Sequence, residues 1–161
     1  MTRQRITPGS IIKIDLGDGY HSYGRILRNA GYGFYDIRTK EEISDMEEIV
    51  DKAILFIVAV YDDAITRGHW LKVGKMPLEP SLEVMPNKFI QDGLHPDKFR
   101  IYDPNTGAMY PSTREACRGL ERAAVWEPEH VEERLRDHFA GRKNRLVEKD
   151  RLTLYGSVES S

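Results

Sequence analysis

The polar and apolar positions of the chain alternate most clearly near its start. In "SIIKIDL", residues 10–16, Ile12, Ile14 and Leu16 fall on one face of an extended chain, while Lys13 and Asp15 fall on the other. This is the two-residue period of a half-buried strand. "YGRIL" and "GFYDI" continue in the same style, separated by the turn signals "GDG" and "NAG". Residues 10–37 are therefore predicted to form a three-stranded antiparallel meander. The acidic "DLGDG" within it is read as a hairpin turn. Its glycines tolerate positive φ, whereas a calcium loop needs further oxygen ligands at alternate positions and a phosphate loop opens onto a helix.

Downstream the pattern changes. Residues 39–52, "TKEEISDMEEIVDK", pack six acids into a short span, with Ile43, Met46, Ile49 and Val50 spaced to share one side of a helical turn or irregular segment. The following "AILFIVAVY" is a continuous run of apolar and β-branched residues, predicted as a strand covered on both faces in the middle of the core. Residues 62–89 show no sustained period. We expect a partly irregular connection there, with a short strand near residues 70–73 and Trp70 as a core anchor. "FRIYDPNTGAMYPS" is a second hairpin, with proline early in the turn and glycine at its end.

The last third is helical in pattern. "STRE" at residues 112–115 has capping-box spacing ahead of a short helix in "EACRGL". In "WEPEHVEERLRDHFAGRKNR", Pro128 suits the first helical position, and Gly141 with Arg142 and Lys143 suits the end. Trp126 and Val131 are spaced for a hydrophobic staple, and Val131, Leu135 and Phe139 for a buried stripe. "DRLTLYGSVESS" is read as an edge strand followed by a polar, fraying tail.

Together these elements predict an α+β fold: a twisted antiparallel sheet, SH3-like or a partly open barrel in its closed variants, with one or two C-terminal helices packed on it. A length of 161 residues suits one domain spanning 1–161, with residues 1–9 and 157–161 expected to be loose.

Composition narrows the function by exclusion. Lys and Arg total 24 against 26 Asp and Glu, so no global charge draws the chain to nucleic acid or an anionic membrane. One cysteine, Cys117, permits no internal disulfide, which fits a reducing cytoplasm, and it is read as a small buried side chain. The N-terminal residues lack the apolar core of a secretory signal, and the longest apolar run is far short of the roughly 20 residues a bilayer requires. A soluble protein is expected. His21, His69, His95, His130 and His138 show no zinc-ligand spacing, and no nucleophile elbow, Walker loop or dinucleotide fingerprint is present. No catalytic residue, cofactor site or metal site is assigned. "GRKNR", residues 141–145, is a short basic patch suited to a helix C-terminus.

Three blocks carry a resemblance: "PGSIIKIDLGDGYHSYGRILRNAGYGFYDI", "AILFIVAVYDDAITRGHWLKVGKMPLEP" and "CRGLERAAVWEPEHVEERLRDHFAG". In this order they resemble the immunity protein 26 family of bacterial polymorphic toxin systems. The resemblance implies a cytoplasmic antitoxin that binds a cognate toxin and blocks it by occlusion, without catalysis. Toxins of this kind are often nucleases with basic clefts. On that reading the toxin-binding residues are expected among Glu41, Glu42, Asp45, Glu47, Glu48 and Asp51, an acidic patch that would speed encounter, and Tyr20 and Tyr23 of the meander. A second reading is a small barrel adaptor that binds a peptide or nucleic acid through the aromatic face between Tyr20 and Tyr35. A hydrolase built on carboxylates and His130 has no motif behind it.

Overall fold

Strands β1 (Ser10–Asp15), β2 (His21–Ile26) and β3 (Gly31–Tyr35) form the expected antiparallel meander in the computed structural model, which describes residues 3–155. "DLGDG" is its first turn. Gly17 and Gly19 adopt φ of 78° and 86°, and the Asp15 and Asp18 carboxylates accept from the Gly17 and Tyr20 N–H groups at 2.8 and 3.1 Å. Those acids close Asx turns of the hairpin. Asn29 and Ala30 supply the left-handed pair of the second turn.

Strand β4 (Ile54–Val60) pairs with β3, and β5 (Leu71–Lys75) pairs with β1. A two-residue strand, β10 (Val125–Trp126), lies parallel to β4, so the six-stranded order is β10-β4-β3-β2-β1-β5. The apolar run in β4 is therefore second from an edge rather than central. Phe56, Val58 and Val60 are buried, but the alternate residues Leu55, Ile57 and Ala59 are only partly covered.

A second, four-stranded sheet has the order β8-β7-β6-β9, from β6 (Lys88–Gln91), β7 (Phe99–Tyr102), β8 (Met109–Ser112) and β9 (Glu121–Arg122). The β7–β8 pair is the predicted second hairpin. Pro111 occupies the outer strand, where a missing N–H costs no ladder bond. Both sheets are mixed, because β10–β4 and β6–β9 are parallel pairs. The fold is α+β as expected, and among the described residues no barrel closes.

Five α-helices accompany the sheets among the described residues: α1 (Met46–Val50), α2 (Asp63–Thr66), α3 (Arg114–Cys117), α4 (Pro128–Phe139) and α5 (Arg145–Tyr155). Helix α4 begins at Pro128 and ends ahead of Gly141 at φ 71°, as the sequence predicts. Its residues Val131 and Leu135 are fully buried in the main core with Trp70 and Trp126. The cap of α3 is one residue later than expected: Thr113, not Ser112, accepts from the Ala116 N–H at 3.1 Å.

The predicted edge strand at residues 150–155 is instead the end of α5. The Asn144 carboxamide accepts from the Leu146 and Val147 N–H groups at 3.1 and 3.2 Å and starts that helix. Its Leu146 and Val147 pack on the main core, while Leu154 is buried with Phe89, Phe99 and Cys117. The polar tail from residue 156 onward lies outside the described residues.

One buried charge organises the face opposite the main core. Arg25 is fully buried and donates to the carbonyls of Gly9, Met76 and Pro77 at 3.0, 2.7 and 2.8 Å. It also meets the Tyr35 hydroxyl at 3.1 Å and the Glu79 carboxylate at 3.3 Å. This set of acceptors supplies what a desolvated guanidinium needs, and it pins residues 76–79 across the sheet.

Candidate interaction surface

The acidic segment is built onto the sheet at three polar points. A bridge joins Thr39 to His21 through N–H···O bonds of 3.0 and 2.9 Å. The Lys13 ammonium, on β1, pairs with the Glu42 carboxylate, which raises the lysine pKa and lowers that of the glutamate. The Tyr23 hydroxyl accepts from the Ile43 N–H at 3.0 Å. Beyond it, Asp45 caps α1 by accepting from the Glu47 N–H at 3.1 Å.

The apolar side of the segment completes the anchorage. Ile49 is fully buried against Ile11, Tyr23, Tyr35 and Ile37, with Ile43, Met46 and Val50 packed around it. The predicted one-sided spacing is realised. Met46 lies over Gly74 of β5 so closely that a methyl group there would collide with its sulfur.

The outer side is a row of carboxylates. Glu41, Glu42, Asp45, Glu47, Glu48 and Asp51 are all exposed. Among the described residues Glu41, Glu47, Glu48 and Asp51 make no ion pair, so most of the negative charge faces solvent uncompensated. Asp45 is committed to its cap and Glu42 to Lys13.

The two tyrosines take different places. Tyr20 is half-buried, and the Arg38 guanidinium lies 3.4 Å from its ring centroid, with the Lys40 ammonium at 5.1 Å. Tyr23 does not reach the surface. Its side chain is fully buried, and its hydroxyl, 3.2 Å from His21 Nε2, holds Ile43. Tyr32 and Tyr35 are buried too, so the meander presents no open aromatic face. Alternation along β2 and β3 fails to expose them because both sides of the sheet are covered, one by α4 and the other by residues 40–52 and 76–85.

Several side chains that could have carried chemistry are buried or paired. Cys117 is fully buried, and burial raises its thiol pKa, which disfavours the reactive thiolate. His69 Nε2 and Trp70 Nε1 both approach the same Glu132 oxygen, at 2.8 and 3.0 Å, tying the residues just before β5 to α4. Around "GRKNR", Arg142 pairs with Asp137, Lys143 with Glu148 and Arg145 with Glu133. Among the described residues no three His, Cys, Asp or Glu side chains converge as a metal ion would require, and no helix is long and apolar enough to cross a membrane.

A second feature had no sequence signal. On the far part of β4, an apolar cleft of about 390 Å³ opens between the two sheets. It draws on residues 29–31, 57–59, 85, 86, 88, 90 and 123–125, which only the tertiary fold brings together.

The family model described as Immunity protein 26 matches residues 7–100, from the turn before β1 through the start of β7. The acidic segment lies within the match, whereas the "VWEPEHVEERL" block is beyond it. Comparison with curated proteins finds no match, and comparison with solved structures finds none either. With more than half of its length matched, the chain belongs to the immunity protein 26 family.

Proposed function

We propose that this immunity protein binds a cognate toxin of a bacterial polymorphic toxin system in the cytoplasm and neutralises it by occlusion, without catalysis. The observation that carries the reading is the pre-organised acidic surface at residues 41–51. Exposed carboxylates on a segment anchored by Tyr23, Lys13 and Ile49 keep their geometry when a partner arrives, so little ordering entropy is lost on association. A toxin with a basic substrate cleft, such as a nuclease, is the partner that this charge pattern complements. Glu41, Glu47, Glu48 and Asp51 would meet it first, with Tyr20 and its stacked Arg38 at the border.

The adaptor reading has less support, because the aromatic face it needs is buried. Co-expression tests the proposal. The chain should restore growth to cells producing the toxin encoded by the neighbouring gene and should co-purify with that toxin. Unrelieved toxicity at equal expression would contradict it.

A further inference from the structure

The cleft between the sheets is mostly apolar, with Asn29, Tyr102 and Lys88 as the polar side chains of its lining. Ile57 and Ala59 of β4 face Met85 and Ile90, and at its rim Met109 and Val125 are 53% and 50% exposed. Lys88, on β6, is the one charged residue in its lining. Lys88 donates to the Ile57 carbonyl at 2.6 Å, and no other hydrogen-bond acceptor is within reach among the described residues. An ammonium carries three donors, so two of them have no protein acceptor among the described residues.

The surrounding charges do not balance it. Glu121 is the residue opposite Lys88 in the β6–β9 pair, but both of its oxygens are taken by Arg134 in a bidentate pair at 2.9 Å each. Burial would raise the Glu121 pKa, yet the Arg134 bonds and the charges of Arg134 and Lys88 hold it below the ordinary carboxylate value. Arg134 is further satisfied by the Phe56 ring, 3.6 Å away. Lys88, Glu121 and Arg134 thus sum to one surplus positive charge, and of the two cations only Arg134 is in direct contact with the carboxylate. Burial lowers the Lys88 pKa, opposed by the charge of Glu121 and reinforced by that of Arg134.

A part-buried cation with a single protein acceptor, set in a mostly apolar cleft, complements an anion on an apolar body. We propose that the cleft is a second docking point for the toxin, receiving an apolar side chain that carries or adjoins a carboxylate, with the carboxylate meeting the Lys88 ammonium. This rests on the toxin-binding reading and divides the interface in two. The acidic segment governs encounter, and the cleft governs retention.

Two variants test it in the full chain. Lys88→Met keeps the stem and removes the charge, and Ala124→Trp, at an exposed position, fills the cleft mouth. The first arm titrates hexanoate and hexanol, following the Met85 and Met109 methyl resonances by NMR. Hexanoate should bind about tenfold more tightly than hexanol, consistent with one charged hydrogen bond, and Lys88→Met should abolish the preference. Equal binding of the two, or shifts from neither, would overturn the proposed chemistry.

The second arm measures binding to the toxin encoded by the neighbouring gene. Both variants should raise Kd about tenfold or more through faster dissociation, with association retained. If the wild-type chain binds that toxin and neither variant weakens it beyond twofold, the cleft proposal fails while the functional reading stands. If the wild-type chain does not bind, both fail together.

Discussion

The Tyr23 hydroxyl accepts a hydrogen bond from the Ile43 main-chain N–H at 3.0 Å, joining the buried centre of β2 to the acidic segment. Replacing Tyr23 with Phe leaves the ring packing in place and the Ile43 N–H without its partner. We expect a loss of about 1 kcal/mol in chemical denaturation. Amide exchange at residue 43 should accelerate, while exchange in α4 stays unchanged.

His21 makes the same junction sensitive to pH. Burial, reinforced by the charge of Lys13, lowers its pKa from the ordinary value of 6.5. As pH falls below 6.5 the unfolded chain takes up a proton that the folded chain still refuses, so stability declines through this window and levels off once the folded histidine also titrates. Chemical denaturation from pH 7.5 to 4.5, compared with His21→Gln, checks this: the variant should lose that part of the slope. NMR titration of His21 should give a midpoint below that of an exposed histidine.

Gly74 sets how closely α1 approaches the sheet. Gly74→Ala would push its methyl into Met46, so the Met46 side chain or α1 must shift to relieve the contact. A cost of about 1–3 kcal/mol is expected for this overpacking, read as a lower denaturation midpoint. Met46→Ala in the same chain should recover part of the loss.

Two buried polar groups predict opposite outcomes. Removing Arg25 by substitution with Met would strand the carbonyls of Gly9, Met76 and Pro77, and the cost should be about 3–5 kcal/mol or a failure to fold. The Tyr32 hydroxyl is buried with no protein partner among the described residues. Tyr32→Phe should therefore stabilise the chain by about 1 kcal/mol, measured in the same denaturation assay.

These sites differ in how visible they are in the sequence. The meander, the Pro128 start of α4 and the burial of Trp70 follow from short-range pattern, because alternation, caps and aromatic bulk act within a few residues. Helix α5 was missed because "LTLY" alternates like a strand when read alone. Its identity depends on the Asn144 cap eight residues earlier and on Leu154 reaching the core of the second sheet, where Arg122 also bonds Asp150 and Thr153. Long-range placement is equally hidden. Nothing local says that Val125 will lie beside Ala59, so neither the β10–β4 pair nor the Lys88 cleft could be read in advance. Tyr23 illustrates the remaining difficulty. Its strand position was clear, but its burial depended on residues 40–52 folding back over that face.

The measurement closest to the central claim is the association rate with the toxin encoded by the neighbouring gene, recorded by stopped flow across ionic strength. A chain carrying Glu41→Gln, Glu42→Gln, Glu47→Gln and Glu48→Gln should associate about tenfold or more slowly at low salt, with a flatter salt dependence. An unchanged rate and an unchanged slope would contradict the account.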